Sequence, residues 1–215
     1  MSFTRLCWRN DMLAQSWYLW VIFALLTAAT VCAVVFASRA VSSHNAEVKK
    51  QLEELKRLKL LKDKYKDFNA DVIANSDSAE VLEGATAVIQ AEIEKAEDPE
   101  KVFGSFTGPQ RYVYTLYYFL EDAGTQGLSF FFKNNGDELR SIAADALSAA
   151  GCESMSSTVR AMWYLFDDSR AESPMDLSEL DRLDSQFEAV FDKNALLEKI
   201  RQYVSDNADL LRFKA

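Results

Sequence analysis

The sequence predicts an all-α protein made of a single N-terminal transmembrane helix, a long helical stalk and a compact α-helical domain. Three observations predict it. Seven Gly and three Pro in 215 residues are too few for a turn-rich β fold. Apolar residues recur at steps of three and four through most of the chain. Residues 17–37, WYLWVIFALLTAATVCAVVFA, hold no charge, no Gly and no Pro. A helix of that length rises about 31 Å, close to the hydrocarbon thickness of a bilayer.

Residues 1–16 form a short tail with Arg5, Arg9 and Asp11. A cleaved secretory signal would have a shorter apolar core, about 7–15 residues, followed by a small-x-small site. The segment after this core reads FASRA, with Arg39 inside it, so an uncleaved anchor is expected. Trp17, Tyr18 and Trp20 at one end suit an interfacial aromatic belt. Beyond the span, Arg39, Lys49, Lys50, Lys56 and Arg57 begin a run of cations. Counted near the span, Arg5, Arg9 and the free amine tie with Arg39, Lys49 and Lys50; counted as far as Lys66 the second side has more cations, so the domain of this single-pass protein, expected in a bacterial inner membrane, leans to the cytoplasm.

Residues 38–75 are the stalk, and Asn45–Ala74 reads as one helix without Gly or Pro. Val48, Leu52 and Leu55 step by four and three, and Leu58, Leu61, Tyr65, Phe68 and Val72 continue at heptad spacing after one slip in register. Two readings follow. The stalk is a dimerising coiled coil, or its apolar stripe packs on the chain's own domain.

Charge divides the chain. Residues 1–66 carry eleven Lys/Arg against five Asp/Glu, a net +6, and residues 67–215 carry thirteen against twenty-eight, a net −15. The basic part suits anionic lipid headgroups. The acidic part argues against direct nucleic-acid binding, which needs clustered Lys/Arg, and suits a basic partner protein.

Residues 76–215 form the acidic domain. Asp77 with Glu80 predicts a capping box, and Leu82, Ala85, Ile89 and Ile93 an inner face. Asp98-Pro99 ends that helix and caps a short one. Thr107 and Gln110 open a helix through Tyr112–Leu120, with Val113, Leu116, Tyr117 and Leu120 inward. Gly124 and Gly127 bracket a turn, and Leu128–Lys133 forms a short aromatic helix stopped at Asn135-Gly136. Asp137 is expected to cap a helix carrying Leu139, Ile142, Ala143, Ala146, Leu147 and Ala150, with Gly151 as its left-handed stop. Val159, Met162, Trp163 and Phe166 mark the next inner face, and Asp167–Pro174 a loop. Asp176 and Glu179 open a helix with Leu180, Leu183, Phe187 and Phe191, and Asn194 opens the last, with Leu197, Ile200, Val204 and Leu211 inward.

The segment Thr125–Gly151, TQGLSFFFKNNGDELRSIAADALSAAG, resembles the DMP19-like family (the DUF4375 domain). Gln126-Gly127-Leu128 occupies the family's glycine turn, although with one Gly fewer and Leu128 in place of Phe. Phe131-Phe132-Lys133-Asn134 matches its aromatic pair and Asn, and Ala149-Ala150-Gly151 its Ile-Gly-Ala-like end. Leu180, Asp184 and Phe187 continue the likeness, which spans roughly Val102–Leu211. The resemblance implies an all-α fold and a protein-binding role, the founding member being regarded as a DNA mimic whose carboxylates occupy a transcription factor. No residue of that surface carries over by position. Gly127, Phe131, Phe132, Asn134 and Gly151 also have a plain structural reading as a tight turn, core filling and a helix end.

Chemistry is sparse. His44 is the single His, so the domain has no Ser-His-Asp or Cys-His arrangement. Cys7, Cys32 and Cys152 make no disulfide framework, and Cys152 reads as a small buried residue. No phosphate-binding glycine motif and no zinc spacing occurs. No catalytic residue, cofactor or metal is therefore assigned. Candidate acidic interaction residues are Asp137, Glu138, Asp167, Asp168, Asp181 and Asp184. The first functional reading is a membrane-anchored protein-binding module, not an enzyme, that presents the acidic domain to a basic protein. The alternatives are a membrane-tethered carboxylate- or metal-dependent hydrolase, and a structural protein that forms a homo-oligomer through the stalk.

Overall fold

The computed structural model describes residues 47–166 and 177–213, and every regular element among them is a helix. The chain divides into two compact units, Met1–Leu55 and Lys56–Ala215, with the division inside a helical stretch, 47–65. In the first unit only 47–55 is described. There Val48, Leu52 and Leu55 are exposed.

The second unit holds α1 (56–65), α2 (Ala70–Asn75), α3 (Ser78–Glu94), α4 (Pro99–Ser105), α5 (Gly108–Gln126) and α6 (Leu128–Asn134). It continues with α7 (Asp137–Arg140), α8 (Ala143–Ala149), α9 (Glu153–Phe166), α10 (Leu177–Val190), α11 (Lys193–Asp206) and α12 (Ala208–Leu211). The longest, α5, is the hub: α3, α6, α8, α11 and α12 all pack on it. Its inner face, Val113, Leu116, Phe119, Leu120 and Ala123, is buried. Its start is the predicted capping box. The Gln110 amide N–H donates to Thr107 Oγ1 at 3.3 Å, and the Thr107 N–H to Gln110 Oε1 at 2.9 Å. Gln110 Nε2 also donates to the Leu211 carbonyl at 3.2 Å, so one side chain ties the start of α5 to the end of the chain.

One part of the expected architecture is corrected. No helix among the described residues is long and apolar enough to cross a membrane. The 19-residue α5 is long enough, but Arg111, Glu121 and Asp122 interrupt it. The span expected at residues 17–37 lies outside the described residues. Among the described residues the fold class that stands is all-α.

The single helix expected over Asn45–Ala74 is broken. It stops at 65, and Phe68 takes φ 44, a left-handed conformation rare for a bulky residue. That backbone costs about 1–2 kcal/mol, while burying a Phe side chain gains about 1.5–3 kcal/mol. Burial wins, because the break lets Tyr65 and Phe68 both reach the core, each at 0% exposure. Asn69 then caps α2 by accepting from the Asp71 N–H at 2.8 Å. From Leu61 to Phe68 the stripe thus packs on its own domain.

Tyr65 fits against α3 where Gly84 leaves room for its ring. Its hydroxyl donates to Glu80 Oε1 at 3.0 Å. Glu80 therefore does not close the box expected with Asp77. Its carboxylate pairs with Lys64, which holds it below the usual carboxylate range. Asp77 caps α3 alone, accepting from the Ala79 N–H at 2.9 Å.

Three further features differ from expectation. Gly124, expected to bracket a turn with Gly127, lies inside α5, which runs on to Gln126. The helix expected from Asp137 to Ala150 is two pieces, α7 and α8, parted at Ser141 and Ile142, and Asp137 is the first residue of α7, not its cap. The last long helix is capped by Asp192, not opened by Asn194. Asp192 Oδ1 accepts from the N–H groups of Asn194 and Ala195 at 2.9 and 3.0 Å. Asp176 and the loop Asp167–Pro174 lie outside the described residues.

Candidate functional site

The glycine turn between α5 and α6 shows how the motif is assembled. Gly127 has φ 94, in the left-handed region that favours glycine. Its N–H donates back to the Ala123 carbonyl at 3.2 Å, closing α5. Having no side chain, it cannot cap α6. Asp184 does so from α10, accepting from the Ser129 N–H at 2.8 Å across 55 residues of sequence. Two motif positions that look independent in sequence are thus one joint. Replacing Asp184 with Ala is expected to cost about 1–2 kcal/mol, and to speed hydrogen exchange at Ser129 before the rest of α6. Unchanged exchange there would remove the capping role.

The aromatic pair turns into the core. Phe131 packs edge-on against Phe119 and Phe132, with ring centroids 5.3 and 5.4 Å away. Phe132 stacks on Phe166 at 5.4 Å and Trp163 at 6.4 Å. Neither Phe is exposed. Arg140 covers this cluster: its Nη1 donates to the Phe132 carbonyl at 3.1 Å and its guanidinium lies 5.7 Å from the Trp163 ring. Asn134 is exposed and donates to Asp122 Oδ2 at 3.1 Å. The helix end is bonded by its neighbour instead, Asn135 Nδ2 donating to the Phe131 carbonyl at 2.9 Å. Gly151, φ 76, ends α8 as expected, with the Cys152 N–H reaching back to the Leu147 carbonyl at 2.8 Å.

The candidate acids have different surroundings. Asp137 pairs with Arg140. Asp184 is the cap just described. Glu138 and Asp181 are exposed, and Asp167 and Asp168 lie outside the described residues. Many cations of this region are held by acids of their own helix turn: Lys95 by Glu92, Arg182 by Glu179, Arg201 by Glu198, Arg212 by Asp209. Such exposed pairs contribute little stability.

Reactive chemistry does not converge. No group of three or more His, Cys, Asp or Glu among the described residues could hold a metal ion. Cys152 is buried, and burial pushes its thiol up, although Lys199 nearby acts the other way. A buried thiol of this kind is the ordinary structural cysteine.

Residues 104–207 match the family model of DMP19-like proteins. The match opens in the last turn of α4 and closes at Asn207, the cap of α11. The DMP19-like region does not hold the core by itself. Tyr65, Phe68, Val81, Leu82 and Ile89, all before it, belong to the same buried cluster as Phe119, Phe131 and Ile200 within it. The comparison with curated proteins gives no match, and neither does the comparison with solved structures.

Two features of this site have no local signal in the sequence. The Asp184 cap needs the fold to bring α10 to α6. Tyr117, expected inward, is half-buried like Tyr114 and Tyr118, and Phe119 is the buried ring. The four aromatics lie within one helical turn and a half, so several faces fit the same letters.

Proposed function

We propose that the acidic helical domain is a protein-binding module that docks a basic partner protein. The observation that carries it is the net −15 of residues 67–215, on a domain where Lys95, Arg182, Arg201 and Arg212 are each paired with an acid of their own helix turn. An uncompensated acidic surface of that size attracts cationic proteins over about a Debye length, 8–10 Å at moderate salt. The match to DMP19-like proteins supports the same direction, since the family resemblance implies carboxylate-mediated binding of a protein. Affinity should fall about tenfold or more as ionic strength rises from about 0.05 to about 0.3 M. A partner captured on the full chain and titrated with salt tests this. Salt-independent affinity would refute the electrostatic reading.

A further inference from the structure

The outer side of α5 carries three tyrosines in addition to the buried residues that fill its inner face. Tyr114, Tyr117 and Tyr118 are half-buried there and touch one another. The Tyr118 ring lies 4.9 Å from Tyr114 and 5.4 Å, edge-on, from Tyr117. The Tyr114 hydroxyl donates to Gln90 Oε1 of α3 at 2.8 Å, which fixes the rings against that helix.

Carboxylates border these rings. Burial is the main cause that raises both phenols; Tyr118 and then the charge of Glu94 add to it at Tyr114, and the charges of Glu121 and Glu83 at Tyr117. Glu94 accepts from the Gln90 amide at 3.1 Å, and neither Glu94 nor Glu121 has an ion pair among the described residues. One edge of the face is already filled. Arg57 of α1 pairs with Glu83, and its charge reaches Tyr117. Beside Tyr117 runs a groove of about 280 Å³ lined by Leu82, Leu120 and Leu197, with Glu83, Glu121 and one cation, Lys193, also on it.

We infer that this α3–α5 face is the docking surface for the basic partner, and that it takes a Lys- or Arg-bearing segment. The inference rests on the reading of the domain as a module for basic proteins. Alkyl stems of such a segment lie on the phenol rings, and its cations reach Glu94 and Glu121. Tyrosine suits such a contact because it offers a large rigid surface, an electron-rich face for cations and a polar tip. Tyrosine is also enriched where interfaces concentrate their binding energy. Arg57 on Glu83 is the chain's own example of a guanidinium received at this edge.

A deca-arginine peptide titrated into the full chain at low salt tests the inference. Glu94→Gln with Glu121→Gln is expected to weaken binding about tenfold. Glu153→Gln with Glu188→Gln, which removes the same charge from α9 and α10, is expected to weaken it less than about twofold. Tyr118→Leu is expected to weaken it about threefold at unchanged net charge. If Tyr118→Leu does not fold, the exposed Glu-to-Gln pairs still decide. Equal loss from both pairs would overturn this face and leave the basic-partner reading standing. No binding of the peptide to the wild-type chain would overturn both.

Discussion

Replacing Gly84 with Ala is expected to destabilise the domain by about 2–3 kcal/mol, although Ala is the better helix former. In an exposed helix the change would gain about 1 kcal/mol. In α3 a Cβ at this position would stand 2.7 Å from Tyr65 Cγ and closer still to Cδ2 and Cε2. The ring has nowhere to go, since Tyr65 is wholly buried and its hydroxyl is held by Glu80. Overpacking of this kind costs typically about 1–3 kcal/mol, occasionally more, and here the Cβ would meet three ring atoms of a buried side chain, so it exceeds the propensity gain. Chemical denaturation of the full chain, followed by fluorescence, measures it. Tyr65→Leu in the Gly84→Ala background should recover part of the loss, a coupling of about 1 kcal/mol or more. A midpoint raised by Gly84→Ala would mean that α1 does not pack on α3 through this notch.

Phe131→Ala is expected to have the larger effect, about 4 kcal/mol. Truncating a buried Phe typically costs about 3–5 kcal/mol, and the two edge-on contacts to Phe119 and Phe132 add to the transfer loss. Against a total stability of about 5–15 kcal/mol, that leaves little margin. Loss of near-ultraviolet circular dichroism and a collapse of the thermal midpoint are the readouts. Asn134→Ala, three residues on and exposed, should stay within about 0.5 kcal/mol of wild type. The contrast separates the motif's core residue from its surface residue. If both changes were equally mild, the aromatic pair would not be core.

Much of the helical layout was legible in the sequence because its signals are local. Asp98-Pro99, the Thr107–Gln110 box and the glycines at 127 and 151 each act within four or five residues, and each stands where expected. The DMP19-like likeness was legible too, because Phe131, Phe132 and the flanking glycines keep their spacing. Where two local signals compete, position was not legible. Asp192 and Asn194 are both good caps, and the extended backbone at Asp192, φ −126, selects the first. Ile142 fits a helical stripe, yet the helix is interrupted there.

The candidate site was less legible. Asp184 reads as one more surface acid until α10 is seen to lie against α6. Glu80 reads as half of a capping box until Lys64 and Tyr65 arrive from α1. The tyrosines of α5 read as one apolar helix until Phe119 is seen to occupy the inside.

By itself, the sequence determined that the domain is all-α, where most helices begin and end, and that the last two-thirds of the chain are strongly acidic. Those properties follow from backbone geometry and formal charge over a few neighbouring residues. Only the tertiary structure decided that α5 is the hub, that Tyr65 and Phe68 complete its core, and which carboxylates are occupied by internal partners. Those outcomes depend on side chains 15 to 55 residues apart meeting in space, as Tyr65 meets Glu80 and Asp184 meets Ser129. No local spacing encodes such meetings, because burial favours whichever packing fills the core.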